Sequence, residues 1–358
     1  MTAPPPPAPP PPAPAPDAAG TRPPLLTTHA LTKHFPIRRG LLGRTVGHVR
    51  AVDGVDLTVP AGRTVALVGE SGCGKSTLGR CLMRVHAPTS GEISYRRTDG
   101  TRVDLAALDE RALKPYRSEI RLVFQDPFAS LNPRMTLLQI VGEPLRVNLG
   151  LSAVETEERV AELLRRVGLR PEYLRRYPNA FSGGQRQRVG IARALALAPR
   201  LVVADEAVSA LDVSVRAQIL NLLKDLQDES DLTYLFISHD LGVVEYMADE
   251  IAVMYVGRVV ETGATADLYG QPLHPYTEAL LSAVPDPDPS ARRRERVVLR
   301  GEVADASKVP PGCPFHPRCF YARDRCRTEV PALREIVPGR TTACHYAGEL
   351  DLEGVDGT

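Results

Sequence analysis

Three short stretches of this 358-residue chain carry side chains that can do chemistry together. The first is Gly69-Glu70-Ser71-Gly72-Cys73-Gly74-Lys75-Ser76-Thr77, directly after the apolar run Thr64-Val-Ala-Leu-Val68. It fits G-x-x-x-x-G-K-[ST] between a strand and a helix. Glycines let the backbone curl so that successive N–H groups point at phosphate oxygens. The helix N-terminus adds partial positive charge. In this pattern Lys75 reaches the outer phosphates and Ser76 ligates Mg²⁺. A chance Gly-rich turn is the plain alternative, and the strand–loop–helix context weighs against it. Cys73 receives no redox role, because a small side chain suffices there. Cys81, on the following helix, reads as packing.

The second stretch is Asp205-Glu206, closing the apolar run Leu201-Val-Val-Ala204. Beside a phosphate loop, a first carboxylate holds Mg²⁺ through water. The second is placed to polarise an attacking water. Alone, the pair would read as two solvated acids at a strand terminus. The third is Ile237-Ser238-His239-Asp240, closing Tyr234-Leu-Phe-Ile237. A lone His is usually structural or on the surface. At a third strand end, His239 reads as a hydrogen-bond partner of a terminal phosphate.

Positioning these groups requires strands alternating with helices, hence a largely parallel sheet covered on both faces, an α/β fold. Strands are expected over 25–31 and 49–59, with a turn at Pro60-Ala61-Gly62 and a basic, Gly-containing loop over 38–44. Helices are expected over 76–85 and near 215–226, with a charged helical insert over about 136–169. Residues 1–24, rich in Pro and Ala, cannot form a core, helix or ladder and read as a disordered tail. Pro285-Asp-Pro-Asp-Pro289 is a linker signal. Arg292, Arg293, Arg294 and Arg296 read as a solvated basic run. The chain shows no internal repeat.

Bulk numbers bound the class. Apolar residues make up 43% of the chain, which allows a sizeable core, and the net charge of +1 argues against a dedicated nucleic-acid binder. The sequence has no run of about 18 apolar residues to span a bilayer and no secretory signal. The expectation is a soluble intracellular protein.

Phe181-Ser182-Gly183-Gly184-Gln185-Arg-Gln-Arg188 makes the argument specific, because it resembles the signature of ABC ATPases, usually Leu-Ser-Gly-Gly-Gln. It precedes the acidic strand, as in that family, and opens a helix from Gln185 to Leu197. The resemblance implies a P-loop, ABC-type nucleotide-binding domain with a helical subdomain and a small cysteine-containing C-terminal region. It implies ATP and Mg²⁺ as ligands and ATP hydrolysis as the activity. In the family the signature (Ser182, Gly183, Gly184, Gln185) binds ATP held by the opposite subunit, two domains sandwiching two nucleotides head to tail. Gln125 matches the glutamine that meets Mg²⁺. Asp212, in Ser209-Ala-Leu-Asp212, matches the loop that crosses the dimer interface. Phe35 matches the aromatic that stacks on adenine, with a packing role as the alternative.

Gly69–Thr77, Phe124-Gln-Asp-Pro-Phe-Ala-Ser-Leu-Asn-Pro133, Ser209-Ala-Leu-Asp-Val213 and His274-Pro-Tyr-Thr277 resemble the peptide and nickel importer subfamily. The similarity covers roughly 25–346 and is greatest to the second of its two ATPase subunits. It implies an ABC ATPase domain over 25–284, a helical subdomain over about 126–190, and a linker with a four-cysteine region over 285–358. It also implies a sibling ATPase in a heterodimer, two transmembrane permeases, indirectly an extracytoplasmic solute-binding protein, and a place on the cytoplasmic face of the membrane. Where the subfamily has Pro after the catalytic Glu, this chain has Ala207, which restores a backbone N–H. Two rivals are a soluble ABC ATPase of DNA repair or translation and a non-hydrolysing ATP sensor. The first expects tandem cassettes or a long coiled coil, and the second a degraded site.

Cys313, Cys319, Cys326 and Cys344 are separated by five, six and seventeen residues, with no C-x-x-C pair. A cytosolic chain rarely uses disulfides, and a segment this poor in apolar residues needs a staple. Four thiolates suit Zn²⁺ or an iron–sulfur cluster, and His316 and His345 are near enough in sequence to serve a zinc site. The resemblance favours [4Fe-4S]; zinc and unliganded thiols stay open.

Overall fold

The computed structural model describes residues 22–40, 44–126, 129–284, 299 and 301–355. Most of the Pro-rich tail, the linker Pro285–Pro289 and the basic run after it lie outside the described residues. The described chain runs β1 (Pro24–Arg39), β2 (Arg44–Pro60), β3 (Thr64–Val68), α1 (Lys75–Leu82), β4 (Ser90–Arg96), β5 (Arg102–Asp104), α2 (Glu110–Leu113), α3 (Tyr116–Glu119) and β6 (Ile120–Val123). It continues through α4 (Leu137–Leu149), α5 (Ala153–Arg166), α6 (Gly183–Leu195), β7 (Leu201–Asp205), α7 (Val213–Ser230), β8 (Thr233–Ile237), α8 (Leu241–Met247), β9 (Glu250–Tyr255) and β10 (Arg258–Ala264). It closes with α9 (Thr265–Gly270), α10 (Pro275–Leu281), α11 (Asp324–Thr328), β11 (Arg334–Val337) and β12 (Arg340–Thr342).

The main sheet has the strand order β11-β12-β10-β9-β3-β8-β7-β6. From β9 to β6 every pairing is parallel, and every residue of β3, β7 and β8 is buried, as a sheet covered on both faces requires. One face carries α4 to α7, with Leu137, Val160, Leu164, Val189 and Leu223 in one apolar cluster with Val202, Tyr234 and Phe236. The other face carries α1, which is itself roofed by a second, antiparallel sheet of order β2-β1-β4-β5. The alternation in β1 and β2 marks strands but cannot name a sheet, so this layer goes beyond the sequence expectation. Both ends of the expected loop over 38–44 belong to strands. β1 runs to Arg39 and β2 starts at Arg44, antiparallel and paired at those residues.

The helical insert begins with reciprocal caps. Thr136 with Gln139, Ser152 with Glu155, and Ser182 with Gln185 each form a capping box, fixing where α4, α5 and α6 start. The segment after residue 301 differs from the loose tail its composition predicts. β12 pairs with β10 and extends the main sheet, and Phe315 is 1% exposed among Tyr255, Tyr276 and His274. One aromatic and a two-stranded hairpin suffice because they add to an existing core.

Candidate functional site at the strand ends

Strand register brings the separate motifs to one level. Leu67 of β3 lies beside Ile237 of β8, Ile237 beside Asp205 of β7, and Ala204 beside Val123 of β6. The chain leaves these strands through the P-loop, through His239, through Glu206 and through Gln125 respectively. Ligands of open α/β sheets bind outside such carboxyl ends.

The P-loop is tightly walled. Gly69 and Gly74 have φ of +145° and +110°. A Cβ would lie 2.2 Å from the Met254 carbonyl oxygen at Gly69 and 2.0 Å from that of Ala51 at Gly74. Only glycine fits both the backbone and the approach of β9 and β2. Lys75 is 5% exposed, and its Nζ donates to the carbonyls of Gly69 at 2.7 Å and Glu70 at 3.0 Å. Cys73 is buried with Sγ 3.8 Å from that ammonium, and burial pushes its thiol pKa up.

Ser76 Oγ donates to Asp205 Oδ1 at 2.7 Å, joining loop and acidic strand. Glu206 is held on two sides. Gln125 Nε2 donates to its Oε2 at 2.7 Å, and His239 Nδ1 lies 3.4 Å from its Oε1. Its backbone has φ of +48°, a left-handed conformation unusual for a residue with a side chain. That turn is fixed by its N–H donating to Ile237 O at 3.0 Å and by Ser209 Oγ donating to its carbonyl at 3.0 Å. The left-handed turn occurs with Ala207, buried in the core, in the next position. The arrangement offers a hydroxyl and carboxylate for a hard cation, a lysine beside a phosphate cradle, and a carboxylate oriented by an amide and an imidazole.

Other expected residues lie elsewhere. Phe35 pairs across β1–β2 with Val49, near the Ala51 wall of the loop. Its ring meets His86 edge-on at 5.6 Å, with Lys33 Nζ 5.0 Å from its centroid. Ser182 and Gln185 bond each other at the start of α6. Gly184 is buried, where a Cβ would lie 2.3 Å from Val215 Cγ1. Asp212 caps α7, accepting from Val215 N at 3.0 Å. The Glu70 side chain turns out of the loop to Arg318, at 2.6 and 2.9 Å.

Cys313, Cys319, Cys326 and Cys344 line one cavity with His316 and His345. Burial pushes the Cys313 thiol up to about 11 and Cys319 to about 12, and raises Cys344. Among the described residues no group of three or more His, Cys, Asp or Glu is arranged to hold a metal ion. Four sulfurs around a shared cavity are donors that either a zinc ion or an iron–sulfur cluster can take.

Sequence reasoning missed two contacts on the P-loop. Arg318 is 248 positions from Glu70 and carries no local pattern. Tyr276 belongs to the quoted His274-Pro-Tyr-Thr277 phrase, and its hydroxyl accepts from Glu70 N at 2.8 Å. His274 caps α10, its Nδ1 accepting from Tyr276 N at 3.0 Å, and its own N–H donates to buried Glu261 at 2.9 Å. The phrase therefore had a signal and lacked only a geometry.

Fold and strand-end motifs together define an ABC-type ATPase domain. Residues 52–209 match the ABC transporter family, and residues 260–326 match the oligopeptide/dipeptide transporter C-terminal region. The chain is 54% identical to a probable peptide ABC transporter ATP-binding protein, y4tS, of Sinorhizobium fredii, over 90% of this chain and 89% of that one. It is 49% identical to the oligopeptide transport ATP-binding protein AppF of Bacillus subtilis, over 91% and 98%. It is 50% identical to the dipeptide transport ATP-binding protein DppF of Haemophilus influenzae, over 90% and 97%. Among solved structures it is similar to the ATP-binding cassette MJ0796 in a dimeric post-hydrolysis state bound to ADP and Pi. That likeness has a TM-score of 0.58 at 30% identity, over 67% of this chain and 98% of that one. CbiO1 of Clostridium perfringens gives 0.57 at 28%, over 69% and 90%. The chain belongs to the ATP-binding proteins of peptide-type ABC transporters, and its chemistry is ATP hydrolysis. Among the described residues no helix is long and apolar enough to cross a membrane.

Proposed function

We propose that this chain is a peripheral subunit on the cytoplasmic face of the membrane that drives import of di- or oligopeptides, or of related small solutes such as nickel. The observation that carries the reading is the level alignment of Gly69–Ser76, His239, Asp205-Glu206 and Gln125 at neighbouring strand ends. In this reading the loop N–H groups and Lys75 hold the phosphates of ATP, and Phe35 supports the adenine. Ser76, Asp205 and Gln125 hold Mg²⁺. Their oxygen donors suit that ion, and the Ser76–Asp205 bond shows two of them already together. When bound, Mg²⁺ neutralises phosphate charge. Glu206 polarises the attacking water, oriented by Gln125 and His239.

The signature Ser182 to Gln185 and Asp212 serve the opposite subunit of a head-to-tail dimer. What supports this is that their side chains or backbones start helices whose N-termini suit anions. The partner is a sibling ATPase, the pair working on two permeases and, through them, an extracytoplasmic solute-binding protein. Closure moves the permeases through the segment from Gln125 to Met135. The domain division follows the sequence reading: 25–284 for the ATPase, with 126–190 as its helical part, and 285–358 for the cysteine region. Cys313, Cys319, Cys326 and Cys344 hold a [4Fe-4S] cluster as a structural staple, supported by their shared cavity.

Affinity purification from native membranes, followed by mass spectrometry, tests the assembly. Recovery of two permeases and a sibling ATPase is expected. Recovery of only soluble partners or ribosomes would overturn the transporter reading. Iron and sulfide analysis of an anaerobic, chelator-free sample tests the staple, and a sample without iron ends it.

A further inference from the structure

The P-loop is held from outside as well as from within. Glu70 is its second residue. The Glu70 carboxylate accepts two bonds from Arg318, Nη1 at 2.6 Å and Nη2 at 2.9 Å. Its backbone N–H donates to the Tyr276 hydroxyl, and its carbonyl accepts from Lys75 Nζ. Arg318 is 8% exposed, so the ion pair is largely shielded from water. The bidentate fork fixes direction as well as distance. The backbone that carries Arg318 is itself tied down by hydrogen bonds and packing. Arg318 N–H donates to Phe315 O at 3.0 Å, Cys313 N–H to Cys326 O at 2.8 Å, and Phe315 packs between Tyr255 and Tyr276. Cys319, the next residue, lines the four-cysteine cavity.

From this geometry we infer that Arg318 is a positioning residue for nucleotide binding, through which the C-terminal cysteine region sets the P-loop and its Lys75. The path is short: Arg318 fixes the Glu70 side chain, and the Glu70 carbonyl is one of two that hold the Lys75 ammonium. The inference rests on the reading that the P-loop binds ATP. Loosening Glu70 lets the loop relax before the phosphates arrive, so the cost falls on binding and leaves the Glu206 end untouched.

The test uses the full chain with its partners, the fluorescent analogue MANT-ATP as probe, and steady-state ATP hydrolysis. Arg318→Gln is expected to weaken MANT-ATP binding and raise the KM for ATP about tenfold, with kcat held within about twofold. Arg318→Lys keeps the charge without the fork and should recover part of the affinity. The double variant Arg318→Gln with Glu70→Gln should bind no more weakly than the weaker single one, since both remove one interaction. Unchanged affinity, additive losses, or a fall in kcat at constant KM would each overturn the inference. Should Arg318→Gln fail to fold, Glu70→Gln breaks the same pair from its more exposed side and carries the same expectation of weaker binding. Lys75→Ala separates the two levels. If it bound MANT-ATP like the wild type, the nucleotide-site reading would fail, whatever Arg318 does.

Discussion

The two edges of the eight-stranded sheet are built to opposite ends. At the parallel edge, β3, β8, β7 and β6 stop level, with a loop serine on one carboxylate, an amide and an imidazole on the next, and a lysine held by carbonyls of its own loop. His239 there is 56% exposed at its side chain. At the antiparallel edge a carboxylate is enclosed: Glu261 is 0% exposed and accepts from two backbone N–H groups and Arg340. One edge gathers the polar groups of several motifs beside the phosphate loop, and the other uses its own to hold itself together. The Arg318–Glu70 pair is the place where the second edge reaches the first.

The sharpest way to break this comparison is at Glu206. Glu206→Gln should lower kcat by about 10²–10⁴-fold, the usual range for losing a positioned base, while ATP binding persists and the closed dimer accumulates. Phosphate release and size-exclusion with ATP read both, and normal hydrolysis would show that the parallel edge is not the reactive one. Next is Phe315→Ala, which should cost about 3–5 kcal/mol in urea unfolding. A cost under about 1 kcal/mol would place the cysteine region outside the core.

A smaller effect is pH-dependent. Burial pushes the His274 pKa down to about 3 from 6.5. The unfolded chain therefore takes up a proton below pH 6.5 that the folded chain refuses until about 3. Stability falls as pH drops through that window, by about 2 kcal/mol from 6.5 to 5. Protonation at Nδ1 would also remove the acceptor for Tyr276 N–H. His274→Gln should flatten the slope of stability against pH, as urea titrations at several pH values would show; an unchanged slope would mean that another group sets it. The smallest effect is Ser182→Ala, which removes the cap of α6 and should cost about 1 kcal/mol. No loss there would mean that Gln185 alone starts the helix.

The parallel edge was largely legible in the sequence because its chemistry is local. A phosphate loop, an acidic strand end and a histidine strand end are each contiguous, and fully buried strands read as short apolar runs. What the sequence could not convey was adjacency. Gln125 and Glu206 are 81 residues apart, and nothing in either segment announces the 2.7 Å bond between them. The antiparallel edge was legible only in part. Composition after Pro285 looks too polar for a core, yet Phe315 alone closes an aromatic cluster supplied by β9 and α10. The roof of β2-β1-β4-β5 was likewise hidden, since alternation shows that a strand has two faces without saying what lies against them.

The hairpin of β11 and β12 has a consequence for how copies of the protein behave in a crowded solution. Without it, β10 would present a row of unpaired N–H and C=O groups, a template on which strands of other molecules can assemble. With it, the outermost strand is β11, four residues long and bearing the exposed charges of Arg334 and Glu335. A strand that short and that charged is a poor seed for further pairing. The residues that carry Arg318 to the P-loop are thus followed by ones that keep the sheet from growing beyond its own chain.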